Sequence, residues 1–330
     1  MARIHELRLT ARIARMYYVD GMKQADIADQ LHISQTTISR LLRKAREEDV
    51  VRITVNVPGG TFPELEERLR GAFGLSEVVV AECSEDREEE ILARIGEAAA
   101  HYVETTLESG EIIGISSWSE SLLRMVDNIH PVKPPGADEV VQILGGMGNP
   151  SVQAHATNLT VRLAKLTRAT PLLLSTQGVA SSAGAKDVLL SDPFVRSTMN
   201  EFSRVTMALV GIGAVEPSKL LADSGNVFTD AELTELVKLG AVGDICLNFF
   251  DKNGREIHSS LAERVIGMTL EQLRAVRRVV GVAGGARKTD ALLGALRGAL
   301  IDVLITDRFT AEKLVSPDNH QPPRAGKARK

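Results

Sequence analysis

Gln35, Thr36, Thr37, Ser39, Arg40, Arg43 and Lys44 stand within ten residues of one another in the stretch QTTISRLLRKA. Amides and hydroxyls of this kind can exchange hydrogen bonds with the edges of nucleobases, and guanidinium or ammonium groups can pair with guanine or with phosphate. That chemistry requires the polar side chains to share one face. At about 100° per residue, Ile38, Leu41, Leu42 and Ala45 gather into an apolar stripe. Thr36, Arg40 and Arg43 then cluster opposite, with Thr37, Ser39 and Lys44 at the margins.

The elements that must hold this helix are legible on either side of it. Ser34 is placed as an N-cap. A shorter helix over Gln24–Leu31 offers Ile27, Ala28 and Leu31, Ile33 sits in the break, and a helix over 8–18 supplies Ile13, Ala14 and Tyr17 as a third wall. The pattern reads as a helix-turn-helix. Its second helix would enter the major groove with Gln35 and Thr36 against bases, Arg40 on guanine or phosphate, and Arg43, Lys44 and Arg46 on the backbone. A small helical packing unit with a solvated charged face is the alternative. The short break, the polar N-terminal face and the basic C-terminal half together favour double-stranded DNA. Residues 50–57, VVRITVNV, alternate imperfectly and predict a strand or wing.

Charge is distributed unevenly. The 330 residues carry 39 basic and 43 acidic side chains, a net charge of −4. Residues 1–55 hold ten basic and seven acidic ones, so the head is +3 and the remainder −7. A cationic end on an anionic body suits contact with a polyanion. The two cysteines, Cys83 and Cys246, cannot build a disulfide framework or a four-cysteine metal site. With no signal-like segment at the start and no apolar run long enough for a membrane helix, a cytoplasmic protein is expected.

From residue 58 on, strand-like and helical patterns alternate: EVVVA, EIIGIS, EVVQIL, TPLLLS, TMALVGIG, DICLNFF, VVGVAGG and DVLITD. Alternation of this kind predicts a mostly parallel sheet covered by helices, in which ligands sit at the carboxyl ends of strands. Two nucleotide motifs nearly form there. Gly146-Met147-Gly148-Asn149-Pro150-Ser151 lacks the third glycine, and no acidic residue follows from Ser151 to Lys186 to hold a ribose. Gly284-Gly285-Ala286-Arg287-Lys288-Thr289 lacks the glycine that a phosphate loop needs before its lysine. No catalytic set and no metal site is predicted, and the sparse histidines His32, His155 and His258 read as surface or core residues.

What remains is a pocket for a small molecule. Lys288 opens an inferred helix, where a bound anion would offset the unfavourable dipole, or where an exposed lysine simply stands. Asp244 and Asp307 lie near strand ends and could accept sugar hydroxyls or cap loops. Trp118 is the single tryptophan, for which core packing is the plain reading.

Both halves resemble the SorC family of bacterial transcriptional regulators. The resemblance runs through YYVDGMKQADIADQLHISQTTISRLLRKAREEDVVRI in the head. In the body it runs through VVQILGGMG, ALVGIG, GAVGDI, VIGMTLEQLRAV, VVGVAGGARKTDALLGALRGALIDVLITD and TAEKL. It implies an α/β chain: a winged-helix-like helix-turn-helix domain over 1–57 and a Rossmann-like effector domain over 58–316. The latter is similar to sugar-phosphate isomerases and deaminases that lost catalysis, and a basic tail over 317–330, read as disordered from its composition, follows. It further implies a homotetramer or dimer on operator DNA, with no cofactor beyond a sugar, sugar-phosphate or polyol effector.

Carried onto this chain, the first effector loop is Ser117, Trp118, Ser119, Glu120 and Ser121, where the family commonly shows serine-tryptophan-glycine-x-threonine. Gly145 and Gly146 match a second loop, Asp244 a glycine-aspartate turn, and Gly284, Gly285 and Lys288 the last loop. Ser119 in place of glycine and the added carboxylate of Glu120 weaken the case for phosphate and leave an uncharged sugar or polyol open. Gln35 stands where the family often has arginine, so the preferred operator should differ at that base. An enzyme acting on sugar phosphates, with Asp244 as base, is the competing class.

Overall fold

The computed structural model describes residues 2–48, 50–51 and 60–316. The chain divides into two compact units, parted between Pro58 and Gly59. From Arg52 on, the expected strand or wing lies outside the described residues, as does the tail from residue 317.

The first unit holds α1 (Ala2–Tyr18), α2 (Gln24–Leu31) and α3 (Gln35–Glu47). Ile13, Ala14, Ile27, Ala28, Ile38, Leu41, Leu42 and Ala45 are buried together, with Tyr17, Leu31 and Ile33 packed on them. Each fully buried aliphatic side chain contributes roughly 1.5–3 kcal/mol. The turn between α2 and α3 is made by His32, in the left-handed region at φ 54°, whose N–H donates to Asp29 O while that of Ile33 donates to Ala28 O. Ser34 then accepts the Thr37 N–H and starts α3.

The second unit runs α4 (Pro63–Phe73), β1 (Glu77–Ala81), α5 (Glu88–Thr106), β2 (Ile112–Ile115), α6 (Glu120–Asn128), β3 (Glu139–Gln142), α7 (Pro150–Thr167) and β4 (Thr170–Leu172). It continues through α8 (Ala183–Ser191), α9 (Pro193–Asn200), β5 (Met207–Val210), β6 (Gly213–Ala214), α10 (Lys219–Ser224), α11 (Asp230–Lys238), β7 (Ala241–Ile245) and β8 (Asn248–Asp251). The last elements are α12 (Leu270–Ala275), β9 (Arg278–Val282), α13 (Thr289–Arg297), β10 (Val303–Asp307) and α14 (Arg308–Leu314).

Seven strands form one sheet in the order β1-β10-β9-β5-β2-β3-β4, every neighbouring pair parallel. Apolar clusters fill both of its faces, which is why strands such as MALV of β5 are buried throughout. The chain leaves β2 toward β3 and β4, then returns to β5 and continues the other way to β9 and β10. The reversal falls between β2 and β5, the kind of place where a crevice opens at the carboxyl ends of strands. One strand expectation is corrected. DICLNFF does not join the parallel sheet; it folds back on itself as the β7–β8 hairpin of a separate antiparallel sheet, β6-β7-β8.

Candidate functional site

On the first unit, Gln35, Thr36, Ser39, Arg40 and Arg43 are exposed along the outward side of α3. Thr37 is half-buried, its hydroxyl 2.8 Å from that of Ser34, so it supports the helix start more than it faces solvent. Lys44 differs from its neighbours. Its ammonium lies 2.7 Å from Glu6 of α1 and 3.8 Å from Glu48, and the Glu6 carboxylate holds it above its ordinary pKa. A phosphate would have to compete with these partners. Arg40, Arg43 and Arg46 are exposed on the same helix.

On the second unit a cavity of about 70 Å³ lies at the reversal between β2 and β5. Five of the sequence-derived effector residues line it: Trp118, Ser119, Glu120, Asp244 and Lys288. The loop after β2 is stitched in place behind them. Ser117 Oγ donates to Leu144 O at 2.6 Å, the Trp118 indole N–H to Gly145 O at 3.0 Å, and Ser121 Oγ to Val282 O at 2.7 Å. Ser119 caps α6, and its Oγ occupies the space against Gly211, where a Cβ would come within 2.5 Å. Glu120 is the first residue of α6, and its carboxylate accepts the Leu220 N–H of α10 at 3.3 Å.

Six expected residues stand behind the wall instead of lining it: Ser117, Ser121, Gly145, Gly146, Gly284 and Gly285. Their contribution is geometric. Gly145 has backbone of Gln177 and Gly178 where a Cβ would go, and Gly146 has the Gln142 side chain there. Gly284 leaves room for Asp307, and Gly285 adopts φ 92°. The Gly285 amide is not open to an anion. It donates to Asp307 Oδ2 at 2.9 Å and is 2.8 Å from the Thr310 hydroxyl. Asp307 is fully buried, accepts Thr310 N and Oγ1 as well, and resolves its two readings in favour of loop capping.

Two groups of opposite charge, Asp244 and Lys288, line the cavity. Asp244 is buried at the end of β7, and desolvation pushes its pKa up to about 6, against the opposing pull of the Leu247 N–H it accepts at 2.9 Å and of Lys288. Desolvation pulls the half-buried Lys288 below its ordinary value, and neighbouring Arg287 adds to that, while Glu120, Glu88 and Asp244 oppose it. Sequence reasoning missed Glu88, Ser116, Leu144, all of the segment 211–218 but Val215, Leu221, Cys246, Leu247 and Arg287. The usable signal was topological, since the segment after β5 had to meet the loop after β2 at the reversal. Arg287 lies at the rim, 3.4 Å from Glu88 and 3.5 Å from the Glu216 carbonyl. Among the described residues no group of histidines, cysteines and carboxylates could hold a metal ion.

A family model described as "Putative sugar-binding domain" matches residues 60–316, and one for sigma-70 region 4, a helix-turn-helix module, matches 11–48. The sorbitol operon regulator of Klebsiella pneumoniae is 33% identical over 94% of this chain and 98% of its own. The chain belongs to the SorC family. The deoxyribonucleoside regulator of Bacillus subtilis is also 33% identical, over 94% and 97% of the two chains. The crystal structure of full-length SorC from Klebsiella pneumoniae aligns with a TM-score of 0.71 at 32% identity, covering 94% of this chain and 98% of that one. This SorC-family member is thus a transcriptional regulator, not an enzyme, with an N-terminal helix-turn-helix and a C-terminal α/β sugar-binding domain. No helix among the described residues is long and apolar enough to cross a membrane.

Proposed function

We propose that the regulator controls a carbohydrate or polyol catabolic operon from the cytoplasm. The exposed side of α3 reads operator DNA, and an uncharged sugar or polyol occupies the cavity of the second unit. The DNA-binding domain is taken as 1–57, the effector domain as 58–316, and the working form as a homodimer or homotetramer on paired half-sites.

The observation that carries the effector class is the balance of charge around the cavity. Glu88, Glu120, Glu216 and Asp244 line it against only Arg287 and Lys288. Carboxylates accept the hydroxyls of a polyol and repel a phosphate dianion. The sorbitol operon regulator among the relatives accords with this class. A phosphorylated sugar is the second reading, favoured by Lys288 just ahead of α13, where a phosphate would offset the desolvation of its ammonium. Thermal-shift titrations with sugars, polyols and their phosphates, followed by the same compounds in an operator-binding assay, decide between them. The first reading expects stabilisation by unphosphorylated compounds, with loss of the response in Asp244→Asn and Lys288→Ala. Stabilisation by phosphates alone would establish the second.

A further inference from the structure

The β7–β8 hairpin turns through two residues, Cys246 and Leu247, both in the left-handed region at φ 53° and 62°. A two-residue turn with positive φ at both positions is met at least cost by Asn-Gly or Gly-Gly; a side chain at either costs on the order of 1–3 kcal/mol of backbone strain. Here the positions carry a thiol and an isobutyl group, and both line the cavity. The turn is tied down from three directions. Asp244 Oδ2 accepts the Leu247 N–H, and Asn248 Nδ2 lies within 3.0 Å of the carbonyls of Ile245, Cys246 and Met268. The wall therefore cannot recede readily when a ligand presses on it.

We propose that the Cys246–Leu247 turn is the specificity-determining wall of the effector cavity, limiting the length of the polyol or sugar chain that binds. This rests on the reading that the cavity takes a polyhydroxylated effector. Asp244 and Lys288 anchor hydroxyls at one end. Two and three residues beyond Asp244, the thiol and the isobutyl group offer no strong hydrogen-bonding partner. An additional CHOH unit pushed against them would bury an unpaired hydroxyl, and it is rejected on that account.

The test uses glycerol, erythritol, xylitol and sorbitol as probes, with dissociation constants and melting temperatures measured on the full chain. Leu247→Gly and Leu247→Ala should both shift the ratio of affinities toward the longer polyols by about tenfold or more. The glycine variant should also melt about 2–4 °C above the alanine variant, the reverse of the usual order, because glycine relieves the positive φ. Cys246→Gly keeps the apolar Leu247 and should shift the ratio in the same direction, so the proposal stays testable where a Leu247 variant folds poorly. An unchanged affinity ratio in these variants, or alanine melting above glycine, overturns the proposal. If Asp244→Asn and Lys288→Ala abolish polyol binding in that case, the cavity reading survives without it. Undiminished polyol binding in both would sink the cavity reading itself.

Discussion

Asp244 and Lys44 show how far a residue's surroundings decide its role. The carboxyl of Asp244 titrates near pH 6 in the folded chain instead of at 3.8, so between those values the folded state holds more protons than the unfolded one. Its contribution to stability is present below about pH 4 and is lost as pH rises through about 6. Asp244→Asn should flatten that slope and stabilise the ligand-free protein at neutral pH by about 1–3 kcal/mol, read from melting curves across pH 4–7. An unchanged slope would remove Asp244 from the cavity's electrostatics. In the reading helix, Arg40→Ala should weaken specific operator binding by about 1–3 kcal/mol in a titration at fixed salt. Lys44→Ala should weaken it much less, since that ammonium is already paired with Glu6. Equal losses in both variants would contradict the division between them. The sequence alone placed Arg40 in the outward cluster of α3 and Lys44 at its margin, but only the packing of α1 revealed the partner that claims Lys44.

At the scale of elements, periodicity was enough where burial is local. The apolar stripe of α3, its Ser34 cap, and the helix–strand alternation of the parallel sheet all follow from spacing within a single segment. It failed where conformation is imposed from outside. DICLNFF reads as one apolar run because neither Cys246 nor Leu247 is a turn residue by propensity; ties from Asp244 and Asn248 hold them there. The segment Gly211–Ser218 carries no chemical signature, and its place in the cavity comes from the crossing between β2 and β5. The loop after β9 depends on Asp307 in the same way. Gly284→Ala would put a Cβ 2.3 Å from the Asp307 carboxylate, and Asp307→Ala would leave the Gly285 and Thr310 amides without that acceptor. Each should cost about 2–4 kcal/mol in chemical denaturation and weaken effector binding through the displaced Lys288. A stable variant with normal effector affinity would show that the buried carboxylate does not set the loop.

For the whole molecule, a DNA-reading unit and a ligand-binding unit on one chain have regulatory meaning only if their equilibria are linked. The effector must bind one arrangement of the assembly better than another, and operator affinity then changes by the factor that this difference sets, commonly 5- to 150-fold. The charge asymmetry of the sequence already separated the two ends, with a cationic head suited to a polyanion and a net-anionic body. The most direct measurement is an operator titration by fluorescence anisotropy at fixed salt, with and without the polyol that stabilises the protein most. We expect the two curves to separate by at least fivefold in the wild type and to coincide in Asp244→Asn. Superimposable wild-type curves at a polyol concentration that saturates the thermal shift would contradict the account.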